Sequence, residues 1–183
     1  RKRMDGGYTV THNHLSVADI TPDSFRLFTQ FLPALLMDWK GLRLRLGKEF
    51  LDEARLGRRW ALDQVSPFEQ VRILNPDPVN TILDSAAASL KAHYPAFTSM
   101  KIAERWAGAI DATPDAVPII SKVGQLEGFH LATGFSGHGF GLGPGAGKLM
   151  AELVTGETPS VDPSPFRYSR FFDGSNPRPI TGL

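Results

Sequence analysis

The chain has 183 residues, 42% of them apolar and 21% charged, with a formal net charge of +1. That is the make-up of an ordinary globular protein with one core, or one core and part of another, and it gives no electrostatic reason to expect nucleic acid or an anionic membrane as partner. Cysteine is absent, which excludes disulfides, thiolate zinc sites and cysteine-linked cofactors. No apolar run approaches the roughly 20 residues of a membrane span.

In chain order, Arg1-Lys2-Arg3 leads into no apolar stretch, so no signal peptide is expected, and a cytoplasmic location is. Asp5-Gly6-Gly7 is a turn signal, and residues 8–11 favour a strand. Thr21-Pro22 marks a helix entry, with Thr21 as N-cap. Phe25, Phe28, Leu32, Leu35 and Leu36 then share a helical face, and Pro33 is expected to kink or split the helix. Leu42, Leu44 and Leu46 alternate with Arg43 and Arg45, which predicts a half-buried strand with a basic outer face. A charged helix is expected over residues 48–58, a turn-rich stretch over 60–78, and a helix over 79–93 closed by Pro95.

Ile102, Glu104, Trp106 and Gly108 alternate as in a strand. Residues 111–115 form a turn, and two short apolar strands follow at 117–121 and 129–132. A glycine-dense loop opens a helix expected to begin near Pro144 and to end at Gly156. The tail beyond it holds five prolines. It is expected to be extended, packing through Phe166, Tyr168, Phe171 and Phe172. Taken together, the elements predict an α/β (α+β) chain.

Residues 129–156, FHLATGFSGHGFGLGPGAGKLMAELVTG, are the most informative stretch. Seven glycines fall between Gly134 and Gly147. A strand, a glycine loop and a helix start make an anion- or cofactor-binding element, because glycine lets backbone approach a ligand and the helix start offers unpaired N–H groups. Two phosphate motifs fail here. A P-loop requires glycine where Leu142 stands and Ser or Thr where Leu149 stands. Gly141-Leu142-Gly143-Pro144-Gly145-Ala146 matches G-x-G-x-x-A as a string, but it does not open a βαβ unit directly after its strand.

The string GFSGHGFGLGPGAGKLMAELVTG resembles the C-terminal flavin loop and helix of the FAD-dependent D-amino-acid oxidase and sarcosine oxidase family. The upstream segment WAGAIDATPDAVPIISKV resembles the same family's strand–turn–strand, with its TPD turn. The resemblance is specific over roughly residues 104–156 and holds only in outline before that. It implies a mixed, largely antiparallel sheet from a substrate domain in residues 1–115. The last strand, loop and helix of an FAD-binding domain would follow in 116–156, then a C-terminal tail in 157–183. The family's N-terminal G-x-G-x-x-G fingerprint is not found, so the chain is expected to be the C-terminal portion of a longer flavoenzyme and to be inactive alone. A missing N-terminal half or partner subunit is then expected, with self-association or partner contacts covering apolar surface on residues 129–132 and 149–154.

By resemblance, Gly134, Phe135, Ser136, Gly137, His138, Gly139, Phe140 and Gly141 contact the flavin. Their N–H groups would stabilise negative charge at its N1 and O2 as hydride passes from a substrate α-carbon to N5. The implied reaction is oxidation of an amino acid or secondary amine, with no obligatory protein base and no catalytic side chain assigned. Tyr8, Trp106 and His138 are the substrate-side candidates. Against these stand plainer roles: a structural histidine for His138 and a core position for Trp106.

The chain departs from the family in two places. Ile110 stands where glycine and D-amino-acid oxidases carry a carboxylate-clamping arginine, and Gly141 stands where sarcosine oxidases carry a lysine. Arg43, Arg45 and Arg105 are alternative clamps, though a solvated face suits each better. Thr9 aligns with the oxygen-activating lysine, which leans toward a dehydrogenase with another electron acceptor. His12 and His14, two apart, are read as a polar strand end and no metal is expected. The competing reading is a non-catalytic fragment or subunit that binds a nucleotide or a partner protein.

Overall fold

The computed structural model describes residues 1–11 and 16–179. It combines helices with two small sheets, and the chain divides into two compact units. One comprises residues 1–22 and 40–109, the other residues 23–39 and 110–183.

The first unit begins with a turn. Gly6 takes a positive φ of 86°, Arg3 and Gly7 are joined by a 2.8 Å bond, and Lys2 pairs with Tyr8 in a single antiparallel bridge. The predicted strand over 8–11 is therefore no more than one bridge among its described residues. Strand β1 (Ser16–Asp19) pairs with β2 (Leu42–Arg45) in parallel, Ser16 opposite Leu42 and Asp19 opposite Arg45. The resemblance implies a mixed, largely antiparallel sheet here, and this pair is its parallel part. The long connection between the two strands is what permits the parallel pairing, since a tight turn cannot join parallel neighbours. In a two-stranded sheet the apolar face of β2 is only partly covered, and Leu44, with Leu46 just past the strand, stays exposed at 51% and 71%.

Helix α3 (Lys48–Arg55) lies within the predicted charged stretch. The turn-rich segment holds one short helix, α4 (Pro67–Gln70), started by a reciprocal capping box between Ser66 and Glu69. Helix α5 (Asn80–His93) ends before Pro95, as its pattern predicts. Residues 101–110 form no strand, despite their alternation, and Trp106 is 48% exposed rather than core.

In the second unit, entered after Pro22, α1 (Pro22–Arg26) and α2 (Phe28–Met37) divide the predicted helix at Leu27. Pro33 lies inside α2, so the break falls six residues ahead of the proline. Strand β3 (Ile119–Lys122) pairs antiparallel with β4 (His130–Thr133). Helix α6 (Gly139–Thr155) closes on Gly156, which takes the left-handed conformation with φ 75°. It starts at Gly139, five residues before the expected Pro144. Pro144 is carried inside the helix, where its ring leaves the Phe140 carbonyl without an i→i−4 partner.

Packing of α6 on the hairpin makes the core. Ile120, Ala146 and Leu149 are buried together, with Phe135, Met150, Leu153 and Phe166 against them. Leu149, expected on an exposed apolar face, is 2% exposed; Phe129 and Val154 on the same two elements are 46% and 58% exposed. The tail is not simply extended. It folds into two 3-10 turns, Ser164–Phe166 and Tyr168–Phe171, and the Tyr168 N–H donates to Ser121 Oγ on β3 at 2.8 Å. No helix among the described residues is long and apolar enough to cross a membrane.

Candidate functional site

Strand β4 delivers the chain into the glycine loop, and α6 carries it away. Between them Gly134, Ser136 and Gly137 all take positive φ, at 70°, 49° and 83°. Glycine reaches this region freely; a serine needs local hydrogen bonds to stay there. Ser136 has them. Its N–H donates to the Asp111 carbonyl at 2.9 Å, and its hydroxyl donates to the Gly134 carbonyl at 3.2 Å and accepts from the Thr113 N–H at 3.3 Å.

Gly134 is required by space as well as conformation. A β-carbon there would come within 2.3 Å of Thr113 Cγ2. Thr113 is itself fixed, because its hydroxyl donates to the Val117 carbonyl at 2.8 Å. The Asp111 carboxylate completes the anchorage: Oδ2 accepts from the Gly134 N–H at 2.7 Å and from the Thr133 hydroxyl at 2.5 Å. The turn at 111–115 is thus the mould for the loop at 133–137.

Where the loop becomes helix, His138 sits at the N-cap and its side chain does not cap. The main chain of His138 does the holding: its N–H donates to the Phe135 carbonyl at 2.8 Å, and its carbonyl accepts from Gly141 and Leu142 at 3.2 and 3.1 Å. Among the described residues the N–H groups of Gly137, Gly139 and Phe140 have no acceptor. These donors lie at the positive end of a 17-residue helix. Phe140 is 95% exposed, and a β-carbon at Gly141 would meet nothing within 4 Å. The result is an open, β-carbon-poor surface of backbone donors, suited to a planar group that carries or gains negative charge.

The predicted contact residues Gly134, Phe135, Ser136, Gly137, His138, Gly139, Phe140 and Gly141 are therefore contiguous but not alike. Phe135 turns toward the core and Ser136 is buried in the loop's own bonding. Ile110 lies beside the loop: a β-carbon at Gly137 would be 4.0 Å from its Cδ1 and Cγ2.

Tyr8 and Trp106 belong to the other unit. Tyr8 is half exposed and meets the edge of Phe97 at 5.1 Å. The alternative clamps there are mostly engaged. Arg45 holds Asp19 through bonds of 2.5 and 2.9 Å, and Arg105 holds Asn80 and Asp84 at 2.9 and 2.6 Å. Arg43 is exposed on β2. Thr9 donates its N–H to the Arg1 carbonyl. His12 and His14 lie outside the described residues.

Sequence reasoning missed Asp111, Thr113, Asp115 and Arg170. Asp115 and Arg170 form a buried ion pair that fixes the TPD turn on which the loop is moulded. The TPD string marked the turn; nothing in a local window identified its partners.

Comparison with known proteins places this arrangement. Residues 5–153 match the family described as FAD dependent oxidoreductase. Glycine oxidase of Pseudomonas aeruginosa is 32% identical over 89 residues, which cover 49% of this chain and 24% of that protein. Human peroxisomal sarcosine oxidase is 46% identical over 59 residues, covering 32% of this chain and 15% of its own length. The solved L-amino acid deaminase from Proteus vulgaris superposes with a TM-score of 0.86 at 34% identity, over 93% of this chain and 39% of that one. The chain thus spans about a quarter or less of the curated relatives it matches. The family match takes in the loop, its mould and most of both units, and the chain belongs to the FAD-dependent oxidoreductase family.

Proposed function

We propose that this chain is the C-terminal part of an enzyme that oxidises an amino acid or secondary amine, and that residues 134–141 hold the flavin ring of its FAD. The observation that carries the reading is the run of free backbone donors at Gly137, Gly139 and Phe140, set on a positive-φ loop at the start of α6. Bound FAD supplies the two-electron acceptor that no side chain can. The chain's own part is to orient and to polarise. Fixed N–H groups and the helix dipole favour negative charge on whatever edge rests against them, and they need no reorganisation when that charge grows.

On the substrate side, Ile110 beside Gly137 presents an apolar surface where a clamp would present a cation. This favours substrates with an apolar or bulky group. His138, with its ring free of hydrogen bonds to the described residues, is placed to donate to substrate or cofactor. Tyr8 and Trp106 are proposed as substrate-side residues of their own unit. In this reading residues 1–115 are substrate-domain sequence and residues 116–156 complete the FAD domain. The apolar exposure at Phe129 and Val154 is where the rest of the enzyme, or a partner subunit, would rest.

Gly141→Val in the full-length protein tests the assignment. Nothing in this chain lies within 4 Å of the new β-carbon, so folding is expected to be kept. Loss of FAD absorbance with an unchanged far-UV spectrum is the expected result. Full FAD content and unchanged turnover would reject the loop as the flavin site.

A further inference from the structure

We infer that Asp111 is a positioning residue for the flavin contact, fixing which backbone donors of the loop are spent inside the protein and which remain for the ring. The inference rests on the reading that residues 134–141 hold FAD.

Three bonds from this one residue reach three residues of the loop, Thr133, Gly134 and Ser136. The carboxylate takes the Thr133 hydroxyl and the Gly134 N–H, and the main-chain carbonyl takes the Ser136 N–H. The donors at Gly137, Gly139 and Phe140 are left unbonded among the described residues. Charge-assisted bonds of this kind are shorter and stronger than neutral ones, and they hold the chain at positive φ where it would otherwise relax.

A carboxylate is also an unexpected choice beside a surface of donors. Its negative charge opposes negative charge gained by a group resting on the loop. A neutral amide of the same shape would keep part of the bonding and remove that opposition. The two roles, shape and charge, therefore separate by substitution.

The test uses the full-length holoenzyme with Asp111→Ala and Asp111→Asn, reading FAD dissociation constant, flavin reduction potential and thermal stability. Asp111→Ala should weaken FAD binding about tenfold or more, through two lost charge-assisted bonds. Asp111→Asn should retain FAD and move the reduction potential to a more positive value, with thermal stability close to the parent's. If Asp111→Ala does not fold, the potential of Asp111→Asn decides alone. Parental affinity and potential in both variants would overturn the inference. So would an unchanged potential in Asp111→Asn beside a merely unstable Asp111→Ala, because that pattern marks a structural residue only. Retention of FAD by Gly141→Val would instead remove the flavin-loop reading on which the inference stands, so the two failures are distinguishable.

Discussion

Arg170 in the C-terminal tail and Asp115 in the TPD turn form a bidentate ion pair sealed from solvent. Arg170 Nε donates to Asp115 Oδ2 at 2.8 Å and Nη2 to Oδ1 at 3.0 Å, with the two side chains 4% and 5% exposed. Nη2 also donates to the Val117 carbonyl at 2.6 Å, and Nη1 to the Arg167 carbonyl at 3.0 Å. The Val117 carbonyl is the one that holds Thr113, and Thr113 bounds Gly134. The tail is thereby tied, through one carbonyl, to the mould of the glycine loop.

Removing one member of such a pair leaves a buried charge without compensation. Arg170→Ala should cost about 3–5 kcal/mol, read by denaturant unfolding. Arg170→Lys should recover only part of it, because a single ammonium cannot make two parallel bonds to a carboxylate. A loss below about 1 kcal/mol for Arg170→Ala would mean the pair is solvated in solution.

The same pair has a pH signature. Burial raises the Asp115 pKa, but the hydrogen bonds and charge of Arg170, with help from the Val117 N–H and Thr113, outweigh it and hold the carboxyl below its usual 3.8. A carboxyl whose pKa falls on folding adds stability above its unfolded pKa, about 3.9, and that stability is lost as pH drops through the folded value. Asp115→Asn should therefore be less stable than the parent at pH 7, and the gap should narrow on acidification below about pH 4. Unfolding midpoints compared across that range check this; a gap independent of pH would contradict it.

What the sequence made legible was local. The glycine string and apolar spacing over 129–156 announced a strand, loop and helix, and β4 and α6 are there. Proline at a first helical position is a strong local signal and points to Pro144, whereas the Gly141 and Leu142 N–H groups already bond to the His138 carbonyl and start the helix at Gly139. Alternation over 102–108 suggests a strand, yet alternation supplies no hydrogen-bonding neighbour, and none pairs with it among the described residues. The supports of the loop were invisible for another reason. Asp111 meets Gly134 across 23 residues and Asp115 meets Arg170 across 55, so no window of sequence contained both partners. Arg170 read as one more charge in a proline-rich tail.

Gly134 combines two constraints that substitution can separate. Alanine there meets the positive φ, at about 1–2 kcal/mol, and the Thr113 methyl, whose 2.3 Å approach forces movement at about 1–3 kcal/mol more. Thr113→Ser removes that methyl and keeps the hydroxyl bonded to the Val117 carbonyl. Gly134→Ala should accordingly be milder in the Thr113→Ser background than alone, with only the conformational part remaining. A double-mutant cycle measures the difference. Strict additivity would show that the loop, not Thr113, yields to the new β-carbon.

Ile110 carries the last prediction, which concerns substrate choice. Its side chain lies against Gly137, where an arginine would place a cation over the loop. On the proposed reading, a small substrate without that cation would lose its main electrostatic anchor, whereas a bulky or secondary amino acid would offset the loss by burying apolar surface, at about 25 cal/mol per Å². The full-length enzyme should therefore turn over D-alanine poorly and larger or N-alkylated amino acids better. Ile110→Arg should shift the ratio of kcat/KM toward the small substrates by about tenfold or more, mainly through KM, since a carboxylate contact made equally in ground and transition states changes binding rather than turnover. A steady-state screen of both proteins against the same substrate panel gives the answer. High D-alanine activity in the parent would refute the role assigned to Ile110, and an unchanged ratio in the variant would place the carboxylate anchor elsewhere.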